Sequence, residues 1–284
     1  MKKTILALAA VSILTTACTN NSIDTANAEK AQITFRVNGD FSLSTMPMTR
    51  ALEADGKAMT DLWILDYIGT TLQHQIHQTS SDEDFGTPTL NLAVGSHHIY
   101  FIASRSQSPT LSTAEHTLTF GKVFDTFWLE YPINVTASSN GSRSVTLDRV
   151  VTKLTTTITD AIPTGASTFN IIPSTWYYGI NYMTGEPTSA ATNQTITISI
   201  PASEIGNTNE RLNVYGFSGS MEWTTDVSLN CKTSGGEILG SAVVTDAPLV
   251  RNRVTNYSGP LFSTEGLTTV SLSSTWADPI NDTW

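Results

Sequence analysis

The chain has 284 residues and a formal net charge of −10, from 25 acidic and 15 basic side chains. This balance argues against nucleic acid or an anionic lipid surface as a partner, because both attract clustered Lys and Arg. Two cysteines are too few for a disulfide scaffold. Ser and Thr together fill about a quarter of the chain, and β-branched Thr favours strands, so we predict an all-β protein. The length suggests two domains.

The N-terminus carries the pattern of an export signal. Lys2 and Lys3 precede an apolar stretch at residues 5–14, which is shorter than the ~20 residues that span a bilayer. The stretch ends in small residues followed by Cys18, and this order resembles the lipobox of bacterial lipoproteins. One position departs from that motif, since Thr15 stands where Leu is usual.

The lipobox resemblance implies a lipid anchor. Residues 1–17 would be removed as a signal peptide, and Cys18 would be acylated as the first residue of the mature chain. Several acyl chains hold a protein at a membrane far more firmly than one. Residues 18–30 are polar and are interpreted as a tether. The alternative is an ordinary secretion signal with a cysteine placed there by chance.

Apolar and polar residues alternate along much of the remaining chain. Three stretches place their apolar side chains on one face of a strand: Ile33, Phe35 and Val37; Ile196, Ile198 and Ile200; Val270, Leu272 and Trp276. Residues 61–68 and 96–103 are largely apolar on both faces, which predicts central strands covered on both sides. Short helices are predicted at residues 51–59 and 112–120.

The spacing of these short strands and of the turn residues between them is typical of β-sandwiches. We place an N-terminal β-sandwich at residues 31–148 and a C-terminal β-sandwich at residues 149–284.

The sequence offers little for catalysis or metal binding. His74 and His77 are three apart and His97 and His98 are adjacent, so on a strand the members of each pair point to opposite faces and do not share one metal. The acidic residues 82–84 lack the ligand spacing of a calcium loop and are interpreted as a hairpin tip. We therefore expect no enzyme activity, no metal site and no cofactor.

Aromatic residues leave one further interpretation open. Trp176, Tyr177, Tyr178 and Tyr182 could form a stacking platform for sugar rings, which would make the chain a glycan-binding surface lipoprotein. In a sandwich, alternation buries half of such a run, so a core role is favoured. With Cys18 acylated, Cys231 has no partner in the chain and is predicted to be a free buried thiol.

The order of lipobox, tether, first strand, Arg-containing linker and DLWILDY resembles the fimbrillin-like proteins of Gram-negative anaerobes, which build or anchor type V pili. Three further stretches carry the resemblance: LNLAVGSHHIYFIAS at residues 90–104, VTLDRVVTKLTTTIT at 145–159 and RNRVTNYSGPLF at 251–262. The resemblance implies two tandem transthyretin-like Greek-key sandwiches. It also implies export as a lipoprotein of the outer membrane, at the cell surface or fimbrium, with a role in pilus assembly and cell adhesion.

The resemblance also implies a mechanism. In polymerising members a trypsin-like protease cuts after an arginine in the linker, the first strand leaves, and a neighbour's strand fills the groove. The matching bond here joins Arg50 and Ala51. The strand lost would carry Ile33, Phe35 and Val37, and the strand donated would carry Val270, Leu272 and Trp276. The alternative for Arg50 is a solvated linker arginine that is not cleaved. The alternative for the C-terminal strand is that it completes its own domain.

The family has two kinds of member, and the expected partners follow from them. Shaft or tip pilins lose the first strand and polymerise, whereas anchor or accessory subunits keep their lipid and cap one end. The short polar stretch after Trp276 and the modest length favour an anchor or accessory subunit. The implied partners are other fimbrial subunits, outer-membrane lipid through Cys18, and a host or bacterial receptor of unknown identity.

Overall fold

The computed structural model describes residues 29–39, 59–105, 109–219 and 223–263, together with the backbone of residues 269–272. Strands and loops make up this part of the chain, and its single helical element is the 3₁₀ turn Ala202–Glu204. The prediction of an all-β protein is confirmed. Within these ranges, no helix has the length and apolar character needed to cross a membrane.

Seven of the nine described strands between residues 30 and 149 form one sheet. Its spatial order is β3 (Thr71–Thr79), β2 (Asp61–Ile68), β5 (Gly95–Ser104), β8 (Thr126–Val135), β9 (Gly141–Arg149), β1 (Lys30–Gly39) and β4 (Thr89–Ala93). Neighbouring strands are antiparallel, except that β1 runs parallel to β9. Strands β3 and β4 are the two ends of this order.

A first hydrophobic core fills the inside of this sheet. Its buried members come from β1, β2, β4, β5, β8 and β9, and they include Ile33, Phe35, Ile64, Leu92 and Phe101. Strands β2 and β4 lie near opposite ends of the sheet order and still contribute to one cluster. The sheet must therefore curl around this core, which we call the β1 core.

The prediction that residues 61–68 form a strand covered on both faces is confirmed. Side chains of β2 alternate between two clusters: Leu62 and Ile64 enter the β1 core, and Trp63, Leu65 and Tyr67 enter a second core. The second core continues through the rest of the chain, with Leu154, Phe169 and Trp176 among its members. The two halves of the chain therefore pack on each other through an apolar surface.

Three four-stranded sheets surround the second core. In spatial order they are β15 (Glu210–Phe217), β10 (Val151–Ile158), β18 (Val254–Gly259) and β19 (Thr269–Leu272); β14 (Ile196–Ser199), β11 (Ala166–Pro173), β16 (Trp223–Thr233) and β17 (Ile238–Leu249); and β13 (Glu186–Ala191), β12 (Trp176–Asn181), β7 (Thr117–Thr119) and β6 (Thr110–Ser112). The chain leaves the first sheet between Arg149, the end of β9, and Val151, the start of β10. Because β6 and β7 precede this point and still pair into the sheet of β12, the division into two sandwiches at residue 149 stays a prediction.

The helix predicted at residues 112–120 is wrong. This stretch forms β6, a turn and β7, and β7 pairs with β12 so that Leu118 is fully buried opposite Ile180. The turn places His116 at φ 56°, a left-handed conformation that a helix does not contain. The other predicted helix, at residues 51–59, lies outside the described residues apart from Met59.

Candidate functional site: the inserted first strand and the C-terminal edge

Strand β1 is inserted between two partners. On one side it pairs with β9 in parallel from Ile33 to Gly39, and on the other side with β4 in antiparallel fashion from Lys30 to Thr34. Backbone hydrogen bonds continue past β4, since the N–H groups of Phe35 and Val37 donate to the carbonyls of Pro88 and Gly86, each at 2.9 Å. Strand β1 is therefore bonded along both edges.

The side chains of β1 alternate as the sequence predicts. Ala31, Ile33 and Phe35 are fully buried, Gln32 and Arg36 are exposed, and Val37 is partly buried against the same core. The Phe35 ring packs against Phe101 and Tyr131, with ring centroids 5.2 and 5.7 Å away. Burying one Ile or Phe side chain stabilises a fold by about 1.5–3 kcal/mol. Removing β1 would therefore open a groove with an apolar floor and two unpaired backbone edges.

The C-terminal strand pairs within its own sheet. The backbone of β19 runs antiparallel to β18, with Thr255 opposite Leu272 and Ser258 opposite Thr269. Among the described strands, β19 lies at the end of its sheet, beyond β18. The predicted donor residues Val270 and Leu272 are on this strand, and their side chains lie outside the described part of the chain.

Asp160 holds the segment that leads towards β19. Its Oδ1 accepts a hydrogen bond from the backbone N–H of Leu261 at 3.0 Å, and its Oδ2 accepts from those of Phe262 and Ser263 at 2.7 and 3.2 Å. A carboxylate with three N–H donors is a strong, charge-assisted anchor. Asp160 follows the end of β10, so it ties this segment to the core sheet.

Four predicted site residues lie outside the part of the chain that the structure describes. Cys18, Arg50, Ala51 and Trp276 lie outside the described residues, and their predicted roles in lipidation, processing and strand donation stay predictions.

The second and third stretches of the fimbrillin-like resemblance meet in space. Strand β10 pairs in parallel with β18, and the two strands come one from each stretch. At their start, the guanidinium of Arg149 donates to both carboxylate oxygens of Asp125, at 2.6 and 3.0 Å, and to Oδ1 of Asn252 at 3.0 Å. The same guanidinium lies 4.6 Å from the ring centroid of Phe127. Arg149 thus joins the first sheet to the β17–β18 turn.

Two histidines share a carboxylate that sequence reasoning missed. Asp66 on β2 is fully buried, and its Oδ2 lies 2.8 Å from Nδ1 of His74 on β3. Its Oδ1 lies 2.7 Å from Nδ1 of His97 on β5, which is also fully buried. We call this group the Asp66 cluster. The sequence does indicate that Asp66 needs a partner, because a charged residue lies there inside a strand predicted to be buried on both faces.

The remaining histidines of the first sheet are also paired with acids. His77 lies 2.8 Å from Asp61 and stacks on Trp63, and His98 lies 2.7 Å from Glu130. Within the described residues no group of three His, Cys, Asp or Glu side chains is arranged to hold a metal ion.

The aromatic run is a core element, as the sequence favoured. Trp176 and Tyr182 are fully buried, and Tyr178 is 8% exposed. Trp176 donates to the carbonyl of Tyr215 at 3.0 Å, and Tyr182 shares a 2.7 Å hydrogen bond with the hydroxyl of Tyr67. Tyr177 is partly buried, with its ring edge-on to that of Trp223 at a centroid distance of 5.1 Å. Three of the four rings of the predicted platform therefore lie in the core.

Of two smaller predictions, the one for Cys231 is confirmed. Cys231 is free and fully buried, and burial raises the pKa of its thiol to about 11. The hairpin tip predicted at residues 82–84 is wrong, because these residues lie in the loop between β3 and β4, which pair with β2 and β1 and not with each other. In this loop the carboxylate of Asp82 accepts the backbone N–H of Thr79 at 2.6 Å.

A family of unknown function, DUF6562, has a sequence profile that matches residues 101–284. The chain belongs to this family. No curated protein matches it.

Solved structures of Bacteroides proteins share its fold at low sequence identity. A candidate adhesin from Bacteroides ovatus is 10% identical, with a TM-score of 0.54 over 82% of this chain and 88% of that one. A second candidate adhesin from that species is 12% identical, with a TM-score of 0.51 over 90% and 97%. A candidate polysaccharide-binding protein (DUF1812) from Bacteroides thetaiotaomicron is 10% identical, with a TM-score of 0.53 over 89% and 99%. At these identities the similarity establishes the fold.

Proposed function

We propose that this chain is a lipid-anchored fimbrial subunit, of the anchor or accessory kind, that assembles with other subunits by β-strand exchange and supports cell adhesion. The observation that carries the proposal is the position of β1, which is bonded along both edges and fills the β1 core with Ala31, Ile33 and Phe35. A strand in this position can be replaced by another extended segment that presents apolar side chains at alternate positions.

The position of β1 in the chain links assembly to the membrane. The proposed lipid site, Cys18, precedes β1, and the proposed cleavage site, Arg50, follows it. After a cut at Arg50, the rest of the protein would stay at the membrane only through the non-covalent hold on β1. Release of β1 would then detach the protein from its lipid and open its groove in the same event.

An intact chain is suited to one end of a fibre. While β1 occupies the groove, the chain cannot accept a neighbour's strand, although it can still offer a strand of its own. In our proposal the donated strand is the C-terminal one that includes β19, whose four paired residues make a short edge. A subunit that donates and does not accept terminates a strand-exchange polymer.

The fold and the relatives support this proposal at a coarser level. We propose that the chain comprises two tandem transthyretin-like sandwiches, as the fimbrillin-like resemblance implies, and that it has no enzymatic activity. The structural relatives include candidate adhesins. The glycan-binding alternative is disfavoured because three of its four aromatic side chains, Trp176, Tyr178 and Tyr182, are buried.

Cleavage in the linker tests the proposal. A site for a sequence-specific protease replaces the bond after Arg50, and membranes carrying the protein are treated with that protease. We expect the part of the protein that follows residue 50, which we call the body, to stay with the membrane after the cut. Warming with excess synthetic peptide of residues 30–39 should release it, because the free peptide replaces the lipid-bound β1.

Two controls make the outcome specific. The same peptide with Phe35→Asp should release nothing, and a Cys18→Ala chain should be absent from the membrane before any cut. A body that leaves on cleavage alone, or that stays with excess peptide during warming, contradicts the proposal.

A further inference from the structure

The Asp66 cluster lies at one end of the β1 core. Asp66 shares a strand face with Leu62 and Ile64, and His97 shares one with Ile99 and Phe101. These four apolar neighbours belong to the β1 core, together with Ala31, Ile33 and Phe35 of β1. The cluster is therefore a polar group at the end of an otherwise apolar groove.

His97 has an acceptor at each ring nitrogen. Its Nδ1 faces Oδ1 of Asp66 at 2.7 Å, and its Nε2 faces the backbone carbonyl oxygen of Ala93 at 2.8 Å. A neutral imidazole carries one proton and can donate to one of these oxygens, leaving a buried lone pair against the other. The imidazolium donates to both. Because His97 is fully buried, the contact of an unprotonated ring nitrogen with an oxygen atom is costly there, since neither atom can donate a hydrogen bond.

The Ala93 carbonyl lies where the chain crosses from β4, at one end of the sheet order, to β5, which lies between β2 and β8. Ala93 ends β4 and pairs with Lys30 of β1, and the next residue, Val94, donates its N–H to the carbonyl of Glu29 at 2.9 Å. Gly95 then starts β5, on the other side of the β1 core. The bond from His97 to Ala93 therefore holds the turn that fixes β4 against the start of β1.

We propose that His97, held as a buried imidazolium between the Asp66 carboxylate and the Ala93 carbonyl, is a pH-sensitive latch on the β4 side of the β1 groove. Loss of its proton leaves a ring nitrogen facing an oxygen lone pair and frees the β4–β5 turn. The consequence for release of β1 rests on the proposed strand exchange, whereas the charge of His97 and the loosening of the turn do not.

The groups around His97 define its electrostatics. Strand β2 presents Asp66, β3 presents His74 on the other oxygen of that carboxylate, and β4 presents the Ala93 carbonyl. On β8 the residue opposite His97 is Ile133, and on β1 the nearest charged residue in register is the exposed Lys30 opposite Ala93. Asp66 is thus the charge that faces the ring.

The pKa directions agree with the geometry. Burial works against a charged His97, but the hydrogen bond and the charge of Asp66 outweigh it, and the pKa of His97 is raised above its usual 6.5. Burial also works against a charged Asp66, but both histidines outweigh it and lower the pKa of that carboxyl below its usual 3.8. The stability from Asp66 is lost as pH falls through its lowered pKa. The stability from His97 is complete below about pH 6.5 and is lost as pH rises through its raised pKa.

Nitrogen-15 NMR of the histidine rings tests the charge directly, on the full chain purified from membranes in detergent. At pH 6.5 we expect both ring nitrogens of His97 to carry protons. A His97 with one proton, on Nε2, beside a protonated Asp66 would overturn the proposal. This measurement uses the unmodified sequence, so it does not depend on whether a variant folds.

Amide hydrogen exchange tests the latch. Corrected for intrinsic rates, the protection of Val94 and of the β1–β4 amides should fall by up to about tenfold per pH unit above pH 6.5, since each opening releases one proton. In His97→Gln, protection should be low at pH 6 and independent of pH. The matched control His98→Gln, on the half-exposed neighbour paired with Glu130, should keep the wild-type profile. Amide protection that does not change with pH in the wild-type chain refutes the latch. A pH-dependent latch in a chain that never enters a fibre refutes the proposed function and leaves the latch intact.

Discussion

At the scale of single residues, buried charges are placed where segments from different parts of the chain meet. Arg149 joins Asp125 to Asn252, Asp160 holds residues 261–263, and Asp66 joins His74 to His97. A buried charge is tolerated when it is paired and hydrogen-bonded, and it is costly when one partner is removed. These residues therefore fix which segments lie next to each other, because apolar packing is non-directional and does not specify this alone.

Arg149 offers the sharpest residue-scale prediction. Arg149→Ala should lower the free energy of unfolding by about 3–5 kcal/mol, because it breaks a buried ion pair and removes two charge-assisted hydrogen bonds from the Asp125 carboxylate. Denaturant unfolding followed by tryptophan fluorescence measures this. The control is Thr146→Ala at an exposed position of the same strand, which should change little. Equal stability of the two variants would contradict a structural role for the ion pair.

The thiol of Cys231 provides an independent probe. Because it is fully buried and burial raises its pKa to about 11, it should react with a thiol reagent at pH 8 far more slowly in the folded chain than in denaturant. The expected rate follows global unfolding, measured as reagent uptake against denaturant concentration. Fast uptake in the native chain would mean that the second core opens locally around β16.

At the scale of elements, sequence periodicity predicted the strands well. The alternation at Ile33, Phe35 and Val37 predicted β1 and its buried face, and the apolar run at residues 61–68 predicted a doubly covered β2. The Asp66 cluster could be anticipated only as a need for some partner of Asp66. Its partners come from β3 and β5, and the register that brings His74 and His97 to one carboxylate is set by tertiary pairing. The failed helix at residues 112–120 has the same origin, since pairing with β12 decides its conformation.

Strand β1 should carry much of the stability of the first sheet. Phe35→Ala removes a ring packed on Phe101 and Tyr131 and should cost about 3–5 kcal/mol in unfolding free energy. Gln32→Ala, at an exposed position of the same strand, is the control and should be nearly neutral. Chemical denaturation of both variants decides this, and a neutral Phe35→Ala would show that β1 is dispensable to the core.

The Asp160 anchor should govern the C-terminal edge. Asp160→Asn weakens a charge-assisted acceptor of three N–H groups, and it should cost about 1–3 kcal/mol. The loss should be local, so amide exchange should quicken at residues 261–263 and in β19 before it does in β10. Glu237→Gln, at an exposed turn position, serves as the control. Exchange that quickens uniformly across the chain would contradict a local anchor.

At the scale of the whole molecule, the two halves behave as one packed unit in which the first strand has a special place. The second core includes Trp63 and Tyr100 from the first sheet together with Trp176 and Phe169 from the second half. Such an apolar interface resists rearrangement between the halves. Exchange of β1 would leave this interface in place, because the buried side chains of β1 belong to the β1 core and not to the second core.

We propose that the protein stays at the outer membrane as a lipid-anchored fimbrial subunit that keeps its first strand. The measurement that tests it most directly is the N-terminal residue and intact mass of the protein from native outer membranes and from sheared fimbriae. We predict a chain that starts at an acylated Cys18 in the membrane fraction, with β1 in place. A chain starting at Ala51 in the sheared fibres would contradict the anchor role, and an unlipidated chain with any other start, free in the medium, would contradict the proposed fimbrial function.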